Sequence, residues 1–335
     1  MDKKKIVALL SGGLDSQLAI KMMQEKNFEV SAIAIKTPFC DFDCGRGCGS
    51  EIKEKADDLG VSLKTVYLGE NYIEMLKHPK HKFGSGMNPC IDCRTMMFNA
   101  AKKYMEEINA EFVISGEVLG QRPMSQHNKA LKIIEDESNL SGKIVRPLSG
   151  MLLPKTEPEK KGLISRKDLE KIKGRTRKSQ LKLAQKFGIN NPPNAGGGCL
   201  LTDKSFAQKA KDLFKYIENP TMNDIELLKI GRHFRFNKTT RLIIGRNERE
   251  NEIIESLKLS DDVLLYVKDH VGPTSLLRGK QCMDQIEIAS QITIRYSDAS
   301  INTNTNVIYE YKDMKYEINT NYKDKFFYLK YRISL

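Results

Sequence analysis

A six-residue string near the N-terminus constrains the fold more than any other part of the chain. The string Ser11-Gly12-Gly13-Leu14-Asp15-Ser16 follows an apolar run over Lys5–Leu10 and opens an amphipathic segment over Leu14–Lys26. A strand, a glycine turn and a helix in this order present backbone N–H groups and the positive end of the helix to an anion. The string lacks the Gly-Lys-Ser/Thr of a Walker A loop. It therefore predicts a phosphate-binding loop of another kind.

The first half of the chain alternates strand and helix signals. Strands are predicted over Lys5–Leu10, Val30–Ile35, Val61–Val66 and Phe112–Ser115. Helices are predicted over Leu14–Lys26, Glu51–Leu59 and Thr95–Ile108. This rhythm predicts an α/β fold, a doubly wound parallel sheet with helices on both faces.

A basic segment follows. Between Lys155 and Lys186 there are 12 Lys and Arg residues against 4 Asp and Glu residues. Helices predicted over Lys167–Lys173 and Ser179–Phe187 carry much of this charge. The segment is either a solvated helix face or a strip that contacts the RNA backbone. In the second case, Arg175, Arg177 and Lys178 are candidate RNA contacts.

From about Asp224 the chain becomes rich in strand signals, which predicts a second, smaller α+β domain. Strands are predicted over Arg241–Ile244, Val263–Val267, Ile286–Tyr296, Val307–Tyr311 and Phe326–Arg332. A helix is predicted over Glu248–Leu257, and a hairpin loop over Ile301–Asn306. The expected domains are residues 1–205, a linker helix over 206–223, and residues 224–335.

Charge and composition narrow the class of protein. The 335 residues include 55 Lys and Arg against 43 Asp and Glu, a net charge of +12. Such an excess suits a polyanionic partner such as RNA, or reflects a solvated lysine-rich surface. With 40% hydrophobic and 29% charged residues, global disorder is excluded. No apolar run approaches the roughly 20 residues of a membrane span, and no secretory signal is recognisable. We expect a cytoplasmic protein.

The cysteines suggest a metal or reactive sulfur. In a chain expected to be cytoplasmic, metal or catalytic thiols are favoured over disulfides. Cys90 and Cys93 form a CxxC pair before the long helix, and Cys199 follows three glycines. Three thiolates can hold three irons of a [4Fe–4S] cluster and leave the fourth open for sulfide or substrate. A thiol or persulfide relay and a structural zinc site are the alternatives.

A second group of cysteines is harder to interpret. Cys40, Cys44 and Cys48 are spaced four residues apart. They fit a surface loop with free thiols, a second metal site that holds Zn²⁺, or a sulfur relay into the active site.

The glycine string resembles the PP-loop of the ATP pyrophosphatase superfamily, which cleaves ATP to AMP and pyrophosphate. The resemblance implies that Ser11, Gly12, Gly13 and Ser16 hold the pyrophosphate portion of ATP. It implies that Asp15 positions Mg²⁺ or the phosphate chain. A carboxylate beside phosphates is repelled unless a metal ion or a proton intervenes, so we expect magnesium.

Three further motifs resemble the tRNA 4-thiouridine synthetase family, over roughly residues 4–200. They are Cys90-x-x-Cys93-Arg94 with two methionines beyond, Gly116-Glu117-Val118-Leu119-Gly120-Gln121 followed by Ser125-Gln126, and Arg146-Pro147-Leu148. The resemblance implies ATP use, with Gly116 and Gln121 at the ATP site, and tRNA as substrate. Met87-Asn88-Pro89-Cys90 is equally similar to the tRNA 2-thiouridylases.

Two parts of the family pattern are not recognisable in this sequence. Because the string begins at residue 11, we expect no N-terminal RNA-binding extension, and no rhodanese-like persulfide carrier is visible. Both expectations favour the cluster-dependent branch of the family. The sulfur donor is then sulfide or a persulfide.

The C-terminal region, roughly residues 224–335, resembles the RNA-binding domain of the NFACT family, proteins that bind tRNA on stalled ribosomes. The motifs are Gly231–Phe236, Ile244–Asn251, Asp269–Thr274 and Leu277-Arg278. The resemblance implies phosphate contacts from Arg232, Arg246 and Arg278. The alternative is that these arginines pair with Glu248, Glu250 or Asp269 within the domain.

These features predict an enzyme, an ATP-dependent tRNA sulfurtransferase that most resembles those forming 4-thiouridine. ATP adenylates a uridine carbonyl oxygen, and sulfur then replaces AMP. Asp15, Cys90, Cys93 and Cys199 are the candidate catalytic and cluster-binding residues. The alternatives are a tRNA 2-thiouridylase and a non-catalytic protein that binds nucleotide and tRNA in quality control. The oligomeric state is left open, and a homodimer is one option.

Overall fold

The computed structural model describes residues 3–39, 50–190, 192, 199–322, 324 and 326–333. The chain divides into two compact units, Met1–Leu200 and Leu201–Leu335, which we call unit 1 and unit 2. The sequence-based division at residues 205 and 224 stays a prediction about which parts fold independently.

Unit 1 alternates strands and helices along the chain. Its described strands are β1 (Lys5–Leu9), β2 (Glu29–Lys36), β3 (Ser62–Tyr67), β4 (Val113–Ser115) and β5 (Ile144–Val145). Its described helices are α1 (Leu14–Gln24), α2 (Ser50–Asp58), α3 (Gly69–Lys77), α4 (Cys90–Glu107), α5 (Asn128–Glu137), α6 (Glu157–Lys160) and α7 (Lys178–Lys186).

The five strands form one parallel sheet in the order β3-β2-β1-β4-β5. Ile6 and Ala8 of β1 pack in one core with α1, while Val7 and Leu9 pack in a second core with α4. Both faces of the sheet are therefore buried, which explains why β1 is apolar at successive positions. The predicted doubly wound parallel sheet is confirmed.

The strand order places two loops side by side. The chain crosses from β1 to β2 on one side, and later returns to pair β4 with the other side of β1. Open α/β sheets bind ligands at such a switch point, outside the carboxyl ends of the strands. The loops that follow β1 and β4 therefore meet where a ligand is expected.

Unit 2 contains four described helices and six described strands. In chain order they are α8 (Lys204–Tyr216), α9 (Met222–Lys229), β6 (Arg232–Arg235), β7 (Arg241–Ile244), α10 (Glu248–Ser256), β8 (Val263–Val267), β9 (Ser275–Arg278), α11 (Met283–Arg295), β10 (Thr305–Tyr311) and β11 (Met314–Thr320). A 3₁₀ helix over Phe327–Tyr331 follows.

The strands of unit 2 form one antiparallel sheet in the order β11-β10-β8-β9-β7-β6. One face packs on α11, with Ala289 and Ile292 against Leu242. The other face packs on α9 and α10, with Ile254 in the core beside Ile243. The predicted α+β class of the second domain is confirmed.

Two predicted strands of unit 2 are wrong. The segment Ile286–Tyr296 lies in α11, and Phe326–Arg332 is mostly the 3₁₀ helix. In α11 the buried positions include Ile286, Ala289, Ser290 and Thr293, which is helical spacing. The β-branched side chains favoured a strand, but packing of this helical face against the sheet decides the structure.

Two other local predictions are also wrong. Only a 3₁₀ turn at Arg166–Asp168 forms where a helix was predicted over Lys167–Lys173. The predicted hairpin loop at Ile301–Asn306 precedes the hairpin, because β10 begins at Thr305. The hairpin turn lies at Lys312 and Asp313, whose φ angles of 48° and 62° are typical of a type I′ turn.

Candidate active site

Ser16 braces the loop between β1 and α1. Its Oγ donates a hydrogen bond to the carbonyl oxygen of Gly13 (2.8 Å) and accepts one from the backbone N–H of Ser11 (3.3 Å). Gln17 Nε2 donates to the carbonyl oxygen of Gly12 (3.1 Å), which has a φ of +75°. Glycine adopts this left-handed conformation without strain. The predicted phosphate loop is thus held in one shape by its own side chains.

Asp15 presents a carboxylate oxygen that no described residue engages. Its Oδ2 accepts a hydrogen bond from Gln121 Nε2 (2.8 Å). Its Oδ1 is buried and has no hydrogen-bond partner among the described residues. A buried carboxylate oxygen needs a donor or a cation, and hard oxygen ligands suit Mg²⁺. Asp15 therefore fits the predicted magnesium ion.

The segment after β4 closes on this loop at Gly116. A Cβ atom here would lie 2.4 Å from the carbonyl carbon of Asp15 and 2.5 Å from the nitrogen of Ser16. Only glycine permits so close an approach of two backbones. The structure thus brings Gly116 and Gln121 together with the loop. Their contact with ATP stays a prediction.

A buried ion-pair network lies beside Gly116. Arg146 Nε donates to Glu117 Oε2 (2.9 Å), and Arg146 Nη1 donates to Glu135. Burial alone would lower the pKa of Arg146, but Glu117 and Glu135 together raise it, so the guanidinium stays charged. Arg94 of α4 lies 3.7 Å from Glu117 Oε1. The network therefore links the helix of the CxxC pair to the end of β4.

The CxxC pair lies in the first turn of α4, and Asp92, between the two cysteines, joins this turn to the preceding loop. Cys90 is the first residue of α4. Asp92 is buried, and its two carboxylate oxygens accept hydrogen bonds from the backbone N–H groups of Lys80 and His81, both at 3.1 Å. The helix N-terminus and the preceding loop are therefore one rigid piece.

The three predicted cluster cysteines are each half-buried. Burial, and then Arg94, lower the pKa of Arg122. Cys90 and Cys199 act in the opposite sense, so both thiols lie within electrostatic reach of this guanidinium. Within the described residues, however, no three His, Cys, Asp or Glu side chains are arranged as a metal site. The iron–sulfur cluster therefore stays a prediction.

Some predicted sites lie outside the described residues. Cys40, Cys44 and Cys48 are among them, and so is the glycine run 196–198 before Cys199. The predicted second metal site stays a prediction.

The basic segment is partly paired within unit 1. Arg166 donates to Glu159 Oε1 (2.8 Å), and Lys186 lies 3.4 Å from Glu25. Arg175 and Lys178 are exposed, and Arg177 is half-buried. Their contact with RNA stays a prediction.

The predicted RNA contacts of unit 2 have different surroundings. Arg278 is buried and donates to Asp262 (2.6 Å) and Asp224 (3.0 Å). Arg246 Nε donates to Glu250 Oε1 at 2.9 Å, the pairing expected under the alternative. These geometries favour structural roles for both arginines, whereas Arg232 has no carboxylate partner among the described residues. RNA contact stays a prediction for all three.

Sequence reasoning assigned no role to Asp92, Arg122 or Arg146. Asp92 and Arg146 lie inside motifs that carry the family resemblance, and each is a charged residue beside apolar neighbours. That context was a usable signal of burial with a partner. Arg122 follows Gln121 in the second motif, but nothing in its spacing pointed to the cysteines.

Two family models match separate parts of the chain. Residues 2–157 match the model described as thiamine biosynthesis protein (ThiI), and residues 231–325 match the NFACT protein RNA-binding domain. No helix among the described residues is both long and apolar enough to cross a membrane.

Curated relatives match the N-terminal part. A probable tRNA sulfurtransferase of Thermococcus kodakarensis is 31% identical over 157 residues, which are 44% of this chain and 37% of the relative. A tRNA-specific 2-thiouridylase of Leptospira biflexa is 30% identical over 120 residues, 30% of this chain and 31% of the relative. The chain thus spans about a third of the length of these relatives.

A solved structure of a 4-thiouridine synthetase–RNA complex with bound ATP has a TM-score of 0.34 and 20% identity, over 56% of this chain and 52% of that chain. The glycine loop at the switch point agrees with the family match of the N-terminal part. Residues 2–157 are therefore similar to the thiamine biosynthesis protein (ThiI) family, and residues 231–325 are similar to the NFACT protein RNA-binding domain.

Proposed function

We propose that the protein is an ATP-dependent tRNA sulfurtransferase that converts a uridine of tRNA to 4-thiouridine. The observation that carries the proposal is Asp15 Oδ1 at the PP-loop, which is buried and has no hydrogen-bond partner in the described part of the chain, while Gln121 donates to the other oxygen. The match of residues 2–157 and the similarity to a probable tRNA sulfurtransferase support the substrate class. Such a role implies a cytoplasmic location.

The reaction has two steps. The carbonyl oxygen of the uridine attacks the α-phosphorus of ATP, and the bond to pyrophosphate breaks. The sulfur of hydrosulfide then attacks the ring carbon, the C–O bond breaks to release AMP, and the hydrosulfide proton is lost to solvent. With a persulfide donor, a second thiol would also have to cleave the S–S bond that joins the base to the carrier. In this proposal the loop from Ser11 to Ser16 binds the pyrophosphate, and Gln121 holds Asp15 in position. Magnesium, when bound, would neutralise phosphate charge beside Asp15.

We further propose that Cys90, Cys93 and Cys199 hold a [4Fe–4S] cluster. Thiolates are the usual ligands of such clusters, and one open iron would supply a place for sulfide. A zinc site at Cys40, Cys44 and Cys48 stays a subsidiary proposal.

Cluster content is tested on protein purified without oxygen. We expect a broad absorption near 400 nm, roughly as thiolate-ligated clusters give. Cys199→Ala should lose iron and thiolation but keep ATP binding. Cys282→Ala is the matched control, because Cys282 is an exposed cysteine of unit 2. Full iron content in Cys199→Ala would rule out the three-cysteine site.

The second candidate function is 2-thiolation, favoured by the similarity to tRNA-specific 2-thiouridylases. A non-catalytic role in RNA quality control is the alternative of a different class. Anaerobic incubation with tRNA, ATP, Mg²⁺ and sulfide, followed by nucleoside mass spectrometry, separates all three. We expect 4-thiouridine with release of AMP. Appearance of 2-thiouridine would assign the second function, and neither product in an ATP-binding preparation would contradict an enzyme.

A further inference from the structure

One face of unit 2 carries a group of arginine and tyrosine side chains. Arg232 Cζ lies 4.5 Å from the ring centroid of Tyr296. Arg295 Cζ lies 5.6 Å from the same ring and 5.7 Å from the ring of Tyr328. The two tyrosine rings meet edge to face, with centroids 5.6 Å apart. With the neighbouring Arg332, these residues form what we call the arginine–tyrosine cluster.

The cluster concentrates positive charge. Burial, then a hydrogen bond with Tyr328, raise the pKa of Tyr296 to about 12, while Arg332 and Arg232 oppose the rise. Tyr296 therefore stays neutral and offsets none of the charge. Among the described residues, no carboxylate forms an ion pair with Arg232 or Arg332. Guanidinium groups stacked on rings are held in place and keep N–H donors at their edges.

An open cavity of about 490 Å³ adjoins this cluster. Its walls include two carboxylates, Glu287 and Asp324, together with Gln291, Asn304, Asn319 and Phe327. Glu287, Gln291 and Arg295 follow one another at four-residue steps on α11, so they lie along one side of the helix. Phe327 immediately precedes Tyr328. The cavity and the cluster are therefore neighbouring parts of one surface.

The two parts of this surface differ in charge and chemistry. The cluster attracts phosphate, whereas the carboxylates of Glu287 and Asp324 in the cavity repel it. Asparagine and glutamine amides both donate and accept hydrogen bonds, as the edges of nucleobases do. Phe327 adds an aromatic wall of the kind on which bases stack. The volume lies within the roughly 300–1,000 Å³ of small-molecule sites.

We propose that this surface binds one nucleotide of single-stranded RNA, with its phosphate at the arginine–tyrosine cluster and its base in the amide-lined cavity. The choice of RNA as partner rests on the proposed function. Single-stranded RNA is required because its bases can be turned out of a stack into a pocket. A carboxylate in the cavity accepts hydrogen bonds from exocyclic amino groups, so cytosine is preferred over uracil.

The test is fluorescence anisotropy of the full chain with short labelled oligocytidine, oligouridine and an abasic oligonucleotide. Arg295→Ala should weaken oligocytidine binding by about tenfold, the scale of one stacked and paired nucleotide. The double change Asn304→Ala with Asn319→Ala should weaken oligocytidine binding by a similar factor. It should leave binding of the abasic oligonucleotide unchanged.

Arg249→Ala is the matched control. Arg249 is an exposed arginine on α10, and α10 packs on the face of the sheet opposite α11. Its removal changes net charge equally and should leave the affinity for oligocytidine unchanged. If the circular-dichroism spectrum shows that Arg295→Ala does not fold, Arg332→Gln is used in its place.

The outcomes separate this site from the enzymatic proposal. Equal affinities of Arg295→Ala, Arg332→Gln and Arg249→Ala would overturn the phosphate site. Equal binding of oligocytidine and oligouridine would overturn the base site. If no thionucleoside forms but oligocytidine binding responds as expected, the proposed function fails and the RNA site stands.

Discussion

At the scale of single residues, the first prediction concerns Asp15, whose buried Oδ1 has no hydrogen-bond partner among the residues that the structure describes. Asp15→Asn keeps the shape of the side chain but removes the charge that would hold Mg²⁺ beside phosphate. We expect pyrophosphate release to fall by about 100-fold or more, as for loss of a main electrostatic group. The melting temperature should stay unchanged. A coupled pyrophosphate assay at saturating ATP and Mg²⁺ measures the effect.

The control for Asp15 is Asp57→Asn, which makes the same change at an exposed carboxylate of α2. It should release pyrophosphate at the rate of the unaltered protein. Near-normal release by Asp15→Asn would remove this carboxylate from the reaction.

Arg146 gives a prediction about stability. Arg146→Met removes the buried guanidinium that pairs with the buried Glu117 and the half-buried Glu135, and Arg94 stays beside Glu117 at 3.7 Å. Breaking a buried ion pair from one side costs about 3–5 kcal/mol. Lys4→Met is the comparison, because Lys4 lies 3.5 Å from Glu111 and the two side chains are 49% and 41% exposed. Its loss should cost about 1 kcal/mol or less. Urea unfolding measures both, and equal losses would contradict the structural role of the network.

Residues within the loop string could be predicted from sequence because strand, turn and helix signals lie within a few positions of one another. Gly116 and Gln121 were found through their motif. Gly116 contacts the backbone of the loop, and Gln121 donates a hydrogen bond to Asp15. Both contacts join residues about 100 positions apart in the sequence. Such long-range partners leave no periodic signal in one sequence, so Asp92 and Arg146 received no role from their motifs.

At the scale of elements, β1, β2 and β4 of unit 1 were predictable because each is a nearly continuous run of buried residues. In unit 2, helix α11 could not be predicted from the sequence. Its isoleucines fit a strand pattern as well as a helical one: Ile286, Ile288, Ile292 and Ile294. The choice depends on the sheet that α11 covers, which forms from strands distant in sequence. The predicted antiparallel strands β7, β8 and β10 stand because short apolar runs there are bounded by turns.

The contact between α8 and α9 gives a prediction about pH. Lys209 of α8 is buried, and its Nζ donates to the carbonyl oxygen of Leu228 in α9 (2.6 Å). Burial, and then Arg246, lower the pKa of Lys209 to about 8. The unfolded chain keeps a lysine pKa of about 10.4. Between these values the unfolded state binds more protons, so the free energy of unfolding rises with pH.

We expect this gain to approach about 1.4 kcal/mol per pH unit within that window. Lys209→Met lacks the titrating group, so the difference between the two proteins should grow from pH 8 to pH 10. Urea titrations at several pH values measure it, and subtraction removes the groups that both proteins share. Parallel curves for the two proteins would show that Lys209 keeps an ordinary pKa.

At the scale of the whole molecule, each unit has a hydrophobic core of its own. The helix over 204–216 belongs to unit 2, where Asp212 pairs with Arg235 and Lys209 reaches Leu228. A chain ending near residue 220 would therefore keep α8 without α9, and would expose Phe206 and Leu213. Truncation after Leu200 leaves the hydrophobic core of each unit complete.

The last prediction concerns the division of labour between the units. Residues 1–200 should fold, bind ATP and retain Cys90, Cys93 and Cys199 together. Their affinity for tRNA should fall by more than about tenfold, or 1.4 kcal/mol, because the region that matches the NFACT RNA-binding domain is absent. Phosphate contacts release counterions, so binding by the full chain should weaken steeply with salt. About five neutralised phosphates give a slope of log K against log salt of roughly −4 to −5.

Filter binding at several salt concentrations, with residues 201–335 alone as the matched control, measures both effects. If tRNA affinity were unchanged in residues 1–200 and absent from residues 201–335, recognition would belong to the basic segment of unit 1, with Arg175 and Lys178 as its exposed cations.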